Sequence, residues 1–336
     1  MTKIYGNVLR WKAAWYRSHG LPPIPGRSPL PIRFIFGVGR SGTTWLGRVL
    51  GEAQQPICYL QEPLTYARPF YAFSDRHDRL ALPPMARMSK GHPLAILCRD
   101  VARLRNDYGR LLGRYAAQKV IRNDCDAELV LIKEVHALLA APALTAALDA
   151  KAVAISRHPV YVVDSLLSYQ DLSVGIWRNE QRLVRDGAFL ASVAGALADR
   201  VRDALDRFPD DGVNRTNTIV GKALTTALIS KHLELAADRS PDILHLAYRD
   251  LCRNPLEGFS RAARHLDLTL GERGSRFIAE TTSPRADDDH PTQTVHKDTS
   301  NQAHRPLKSL TREEADLICR VLSDLDLLND ETGLPS

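Results

Sequence analysis

Ile32-Arg-Phe-Ile-Phe-Gly-Val-Gly-Arg-Ser-Gly-Thr-Thr-Trp45 reads as a buried strand, a glycine-rich turn and the first residues of a helix. Ile32, Phe34, Ile35 and Phe36 form a short run of β-branched and aromatic residues that stops at Gly37. Gly37, Gly39 and Gly42 admit positive φ and keep side chains away from the backbone N–H groups. Thr43 and Thr44 open a helix that continues through Trp45, Leu46, Val49 and Leu50, so its unpaired N–H groups and positive dipole end face the turn. Such a turn cradles an anion, and phosphate is the natural guest. The spacing from Gly37 to Gly42, Thr43 and Thr44 follows a Walker A loop except at one position, where the expected lysine is Thr43. The cation of the turn is Arg40 instead.

Other apolar runs end in polar residues of the same kind. Pro56-Ile-Cys-Tyr-Leu60 reads as a second strand and is followed by Gln61-Glu62-Pro63, with Glu62 at the edge where an open α/β sheet receives its ligands. Leu129–Ile132 is a near-continuous apolar run, as in a central parallel strand, and Lys133-Glu134-Val135-His136 follows it. Ala152–Ser156 is the next strand, ending in Arg157-His158-Pro159 ahead of a helix. Ser165 stands eight residues beyond Arg157 and about two turns into that helix. An arginine and a serine so arranged suit one oxygen-rich group, such as a second phosphate. Ile243–Leu246 is the last strand. The pattern predicts a P-loop NTPase-like three-layer α/β/α fold with a mainly parallel central sheet.

Gly-Arg-Ser-Gly-Thr-Thr-Trp-Leu at 39–46 resembles the 5′-phosphosulfate loop of sulfotransferases, which use 3′-phosphoadenosine-5′-phosphosulfate (PAPS). The stretch from Gly39 to Leu64 is similar to the carbohydrate 6-O-sulfotransferase subgroup, and Arg157-His158-Pro159 with Ser165 resembles the family's 3′-phosphate motif, His158 replacing a frequent aspartate. The resemblance implies donor binding by Gly39, Arg40, Ser41, Gly42, Thr43, Thr44, Trp45, Arg157 and Ser165. Arg40 and the loop amides take the 5′-phosphate, while Arg157 and Ser165 take the 3′-phosphate. Lys133 matches a family lysine that holds the donor or polarises the transferring sulfuryl, and Arg40 is expected with Lys133 and the helix terminus to act catalytically, by supplying positive charge near the bridging oxygen. Glu62 is the first choice of catalytic base and His136 the reserve. By position, 281–305 resembles the late loop over adenine and 3′-phosphate, with Lys297 and Arg305 as contacts. Tyr248-Arg249-Asp250-Leu251 resembles a supporting Tyr-Glu-Asp-Leu element.

The 336 residues suffice for a sizeable core, and 44% hydrophobic with 25% charged content belongs to a soluble globular protein. The net charge of +6 concentrates at the N-terminus: residues 1–60 carry eight Lys or Arg against one acid, Glu52. Residues 1–30 read as a basic amphipathic helix with Ile4, Val8, Trp11 and Trp15 on one face, then a Pro-rich linker; residues 31–336 read as a single domain. The helix suits packing on the domain or a partner subunit, or a peripheral membrane contact. With no signal-peptide h-region and no membrane-length apolar run, a cytoplasmic location is expected. Five scattered cysteines lack disulfide or zinc spacing. Nucleic-acid modules are absent.

Residues 65–128 read as helical and irregular, an insertion suited to walling an acceptor pocket with Arg68, Tyr71, His77 and His92. Trp177, Arg178 and Glu180 are a second acceptor-facing group, and Leu310–Leu328 is a terminal helix capped by Thr311 and Glu314. The expected activity is metal-free sulfuryl transfer from PAPS to a hydroxyl, most naturally of a glycan or glycolipid. The competing readings are a magnesium-dependent P-loop kinase or nucleotidase, and an inactive nucleotide-binding relative.

Overall fold

A computed structural model of the chain describes residues 30–63, 88, 90, 95, 98, 99, 120–124, 126–168, 181–210, 212–282 and 307–328. The expectations for residues 1–20, Arg68, Tyr71, His77, His92, Trp177, Arg178, Glu180, Lys297 and Arg305 lie outside the described residues.

The predicted strands form where the apolar runs end in turns. β1 (Ile32–Phe36), β2 (Ile57–Gln61), β3 (Val120–Asn123), β4 (Leu129–Glu134), β5 (Lys151–Ser156) and β6 (Ile243–Ala247) make one sheet in the order β3-β2-β4-β1-β5-β6. Every pairing is parallel except that of β2 with β3. β3 corrects the reading of 65–128 as helical and irregular. It is a short antiparallel strand with a polar Arg122, whose guanidinium donates to the carbonyls of Gly51, Ala53 and Gln55 and pairs with Asp124.

Strand alternation sends side chains to two cores. Phe34, Phe36, Leu60, Ile132 and Ala154 meet one helical layer. It contains α2 (Ala141–Ala147), α3 (Pro159–Leu167) and the 25-residue α6 (Arg215–Arg239), which follows α4 (Gly187–Ala194) and α5 (Ala198–Arg207). Ile35, Tyr59, Leu131 and Val153 meet the other layer, built from α1 (Thr43–Leu50), α8 (Pro255–His265) and α9 (Glu272–Thr282), while α7 (Tyr248–Arg253) caps the end of β6. α10 (Arg312–Ser323) returns to the first layer and carries the predicted capping box between Thr311 and Glu314. Cys58, Cys98 and Cys252 are buried. Among the described residues no helix is long and apolar enough to cross a membrane.

Parallel register aligns the strand ends. Gln61 pairs with Lys133, Phe36 with Glu134 and with Ala154, and Ser156 with Ala247. One row therefore runs along the C-terminal edge from Glu62 through Lys133 and the β1–α1 turn to Arg157 and Tyr248.

Candidate active site

The turn after β1 is built for close approach. A Cβ on Gly37 would stand 2.6 Å from the Ile155 carbonyl, so glycine is required for β1 to pass beside β5. Of the three turn glycines only Gly42 adopts positive φ, at 94°, and a Cβ there would meet the Tyr248 ring at 2.5 Å. Arg40 itself takes φ 72°, a strained conformation for a residue with a side chain. Gly39 differs: among the described residues a Cβ there would meet nothing within 4 Å, so none of their contacts demands glycine at that point. The Ser41 hydroxyl is buried, with no hydrogen-bond partner among the described residues. Thr43 is buried and Thr44 half-buried in the first turn of α1.

The second motif meets the turn directly. Arg40 Nε donates to Ser165 Oγ at 2.9 Å, and the Arg157 guanidinium donates to the Arg40 carbonyl at 3.2 Å. Arg157 lies over the Tyr248 ring at 4.7 Å and the Tyr161 ring at 5.6 Å, contacts that hold its guanidinium beside the turn. Arg40, expected at the 5′-phosphate and among the charges near the bridging oxygen, thus also reaches the serine of the second motif. His158 keeps the helix-starting role of an aspartate, because its Nδ1 accepts from the Val160 amide at 3.2 Å and caps α3.

At the other end of the row, Glu62 also takes positive φ, 53°, and its carboxylate pairs with the Lys133 ammonium. The Glu62 amide donates to the Lys133 carbonyl at 2.7 Å, so two contacts tie the pair. The Lys133 side chain is 3% exposed and that of Glu62 20%, leaving the carboxylate the more accessible partner. His136 is half-buried two residues beyond β4, and its amide donates to Glu134 Oε1 at 3.2 Å.

The Trp45 indole, expected among the donor-binding residues, is 1% exposed, donates to Thr281 Oγ1 at 3.1 Å and packs edge-on against Phe259 and Tyr248, which anchors the start of α1. Tyr248, expected as support, does lie under Gly42 and Arg157. Sequence reasoning passed over Glu134. Its fully buried carboxyl is pushed up to about 7, first by burial and then by the nearby Glu62 charge, although the Val135 and His136 amides donate to it. A strand-end carboxylate directly after Lys133 was the available signal. A cavity of about 560 Å³ also opens beside Arg157, lined by Ser156, Tyr161, Ser230, His245, Tyr248 and Arg249 among others.

A family model described as "Sulfotransferase family" matches residues 31–215, more than half of the chain, and spans the turn, the Glu62–Lys133 pair and the Arg157–Ser165 motif. The chain belongs to the sulfotransferase family. A search of curated proteins finds no matching sequence. Among solved structures it is similar to the sulfotransferase domain from the curacin biosynthetic pathway, at 16% identity and TM-score 0.42, covering 92% of this chain and 100% of that one. It is also similar to a sulfotransferase from Alicyclobacillus acidocaldarius, at 16% identity and TM-score 0.40, covering 91% and 97%. Mouse sulfotransferase SULT7A1 complexed with PAP is similar at 11% identity and TM-score 0.41, covering 96% and 92%.

Proposed function

We propose that this sulfotransferase takes sulfuryl from PAPS and delivers it to a hydroxyl of a carbohydrate or glycolipid. The observation that carries the donor assignment is the junction of Arg40, Arg157 and Ser165: two phosphate-type motifs more than a hundred residues apart meet in one place. The buried Ser41 hydroxyl and the open space over Gly39 support a group lying against the turn, since each leaves the loop suited to oxygen-rich contact. The cavity beside Arg157 offers room for a nucleoside. The acceptor class rests on the resemblance of Gly39–Leu64 to carbohydrate 6-O-sulfotransferases.

When bound, the donor supplies an activated sulfur whose leaving group is a phosphate oxygen. The amides at the start of α1 and the Ser41 hydroxyl hold the 5′ end, and Arg157 with Ser165 holds the 3′-phosphate. Lys133 would supply positive charge to the bridging oxygen as the S–O bond breaks. Glu62 accepts the proton of the acceptor hydroxyl as its oxygen bonds to sulfur, and the bond electrons leave with the phosphate. Lys133 fixes the orientation of the Glu62 carboxylate through their ion pair. His136 is the alternative base, on the turn that Glu134 holds.

Transfer of labelled sulfate from PAPS into a panel of glycans, glycolipids, simple lipids and phenols tests the proposal. Labelling confined to sugar-bearing acceptors supports it; labelling of phenols alone overturns the acceptor class, and no labelling of any acceptor overturns the activity.

A further inference from the structure

Asp164 directly precedes Ser165 on α3, and the reaction scheme above gives it no part. Its carboxylate is buried, and one oxygen, Oδ1, accepts three consecutive backbone amides: Lys308 at 3.0 Å, Ser309 at 2.8 Å and Leu310 at 3.0 Å. Three N–H groups converging on one charged oxygen make charge-assisted bonds, roughly twice as strong as neutral ones. The same segment is held on its carbonyl side by Arg215 of α6, which donates to the Ser309 carbonyl at 2.8 Å and pairs with Glu314 of α10. Residues 308–310 are thus gripped from two sides, and the grip on the amide side belongs to the helical turn that presents Ser165.

That turn is near the end of its helix. α3 stops at Leu167, and the hydroxyl of Ser168 turns back to the Ser165 carbonyl at 3.0 Å. The start of α3 is fixed by the His158 cap and by the stacking of Tyr161 with Arg157. At the Ser165 end, Asp164 supplies the bonds to a separate part of the chain. We infer that Asp164 is a positioning residue for the donor: by fastening the last turn of α3 to residues 308–310, it holds Ser165 at the distance from Arg40 and Arg157 that a 3′-phosphate needs. The inference rests on the reading of Arg157 and Ser165 as the 3′-phosphate clamp.

Calorimetry on the full chain with adenosine 3′,5′-bisphosphate and adenosine 5′-monophosphate tests it, since the ratio of the two affinities reads the 3′-phosphate alone. Asp164→Ala should narrow the preference for the bisphosphate about tenfold, the value of one well-placed charge-assisted bond, while leaving the monophosphate affinity within about twofold. Arg215→Ala loosens the same segment from the other side. It should lower the melting temperature yet leave the ratio unchanged, which separates positioning from general loosening. Asp164→Asn keeps an acceptor oxygen without the charge and should narrow the ratio about threefold, so the question is decided even if the alanine variant does not fold. An unchanged ratio in the Asp164 variants, or an equal loss in Arg215→Ala, overturns the inference. A wild-type chain with no preference for the bisphosphate would instead contradict the donor reading.

Discussion

Arg40 and Ser165, 125 positions apart in sequence, share a 2.9 Å hydrogen bond between the β1–α1 turn and α3. The bond joins two elements that each resemble half of a phosphate site, and Arg157 closes the group by donating to the Arg40 carbonyl. The strained φ of Arg40 is kept because this arrangement and the packing of Tyr248 under Gly42 fix the turn from both sides.

Arg157→Ala and Ser165→Ala should weaken binding of adenosine 3′,5′-bisphosphate by roughly ten- to a hundredfold, the range for a lost hydrogen bond to a charged group. Affinity for adenosine 5′-monophosphate should change little in Ser165→Ala. Equal losses for both nucleotides would remove Ser165 from the 3′ side of the site.

Two glycines of the turn make opposite predictions. Gly42→Ala must place a methyl 2.5 Å from the Tyr248 ring at φ 94°, so it should destabilise the fold by about 2 kcal/mol or more, read in chemical denaturation. Gly39→Ala meets nothing among the described residues and should melt like the wild type. If a donor lies against the turn, Gly39→Ala should nevertheless lose donor affinity about tenfold.

The turn, the parallel strands and the capped terminal helix were legible because each is a local signal: glycines at fixed spacing, apolar runs ending in turns, and Thr311 with Glu314 three residues on. β3 was not, because an antiparallel strand of four residues containing Arg122 and Asn123 has no apolar run to announce it. The partners of Arg40, Glu62 and Asp164 were illegible for a different reason. Each lies tens to more than a hundred residues away, and only the register of the sheet and the packing of α3 bring them together. The packing of Trp45 was illegible too, because a tryptophan just after a phosphate turn fits either a ligand or a core, and helix periodicity cannot tell which face of α1 meets Phe259.

Glu62→Gln should reduce transfer by at least about a hundredfold with donor affinity retained, as expected for loss of a general base. It also strands the buried Lys133 ammonium, so it should cost stability, on the order of 2–4 kcal/mol after allowing for the partly exposed partner. The double variant Glu62→Gln/Lys133→Met should recover much of that stability and none of the activity. Full turnover by Glu62→Gln would move the base to His136.

Glu134 gives the pH prediction. Its folded value of about 7 lies above the ordinary carboxyl value of 4.5, so the folded state holds the proton more tightly and this carboxyl's contribution is complete below about 4.5. It is lost as pH rises towards and through 7, a change of roughly 3 kcal/mol. Buried His232, lowered to about 4, acts in the opposite sense: its contribution is present above about 6.5 and lost as pH falls through 4. Glu134→Gln leaves His232 untouched, so urea unfolding of the two chains at pH 5 and pH 8 isolates the carboxyl. The variant should gain stability relative to wild type at pH 8; an identical pH dependence in both chains would contradict the assignment.

Calorimetric titration of the wild-type chain with adenosine 3′,5′-bisphosphate, set against ATP with magnesium, tests the two-phosphate clamp most directly. The account predicts tight binding of the bisphosphate without metal and weak binding of ATP with magnesium. Tight ATP binding with no response to the bisphosphate would contradict it.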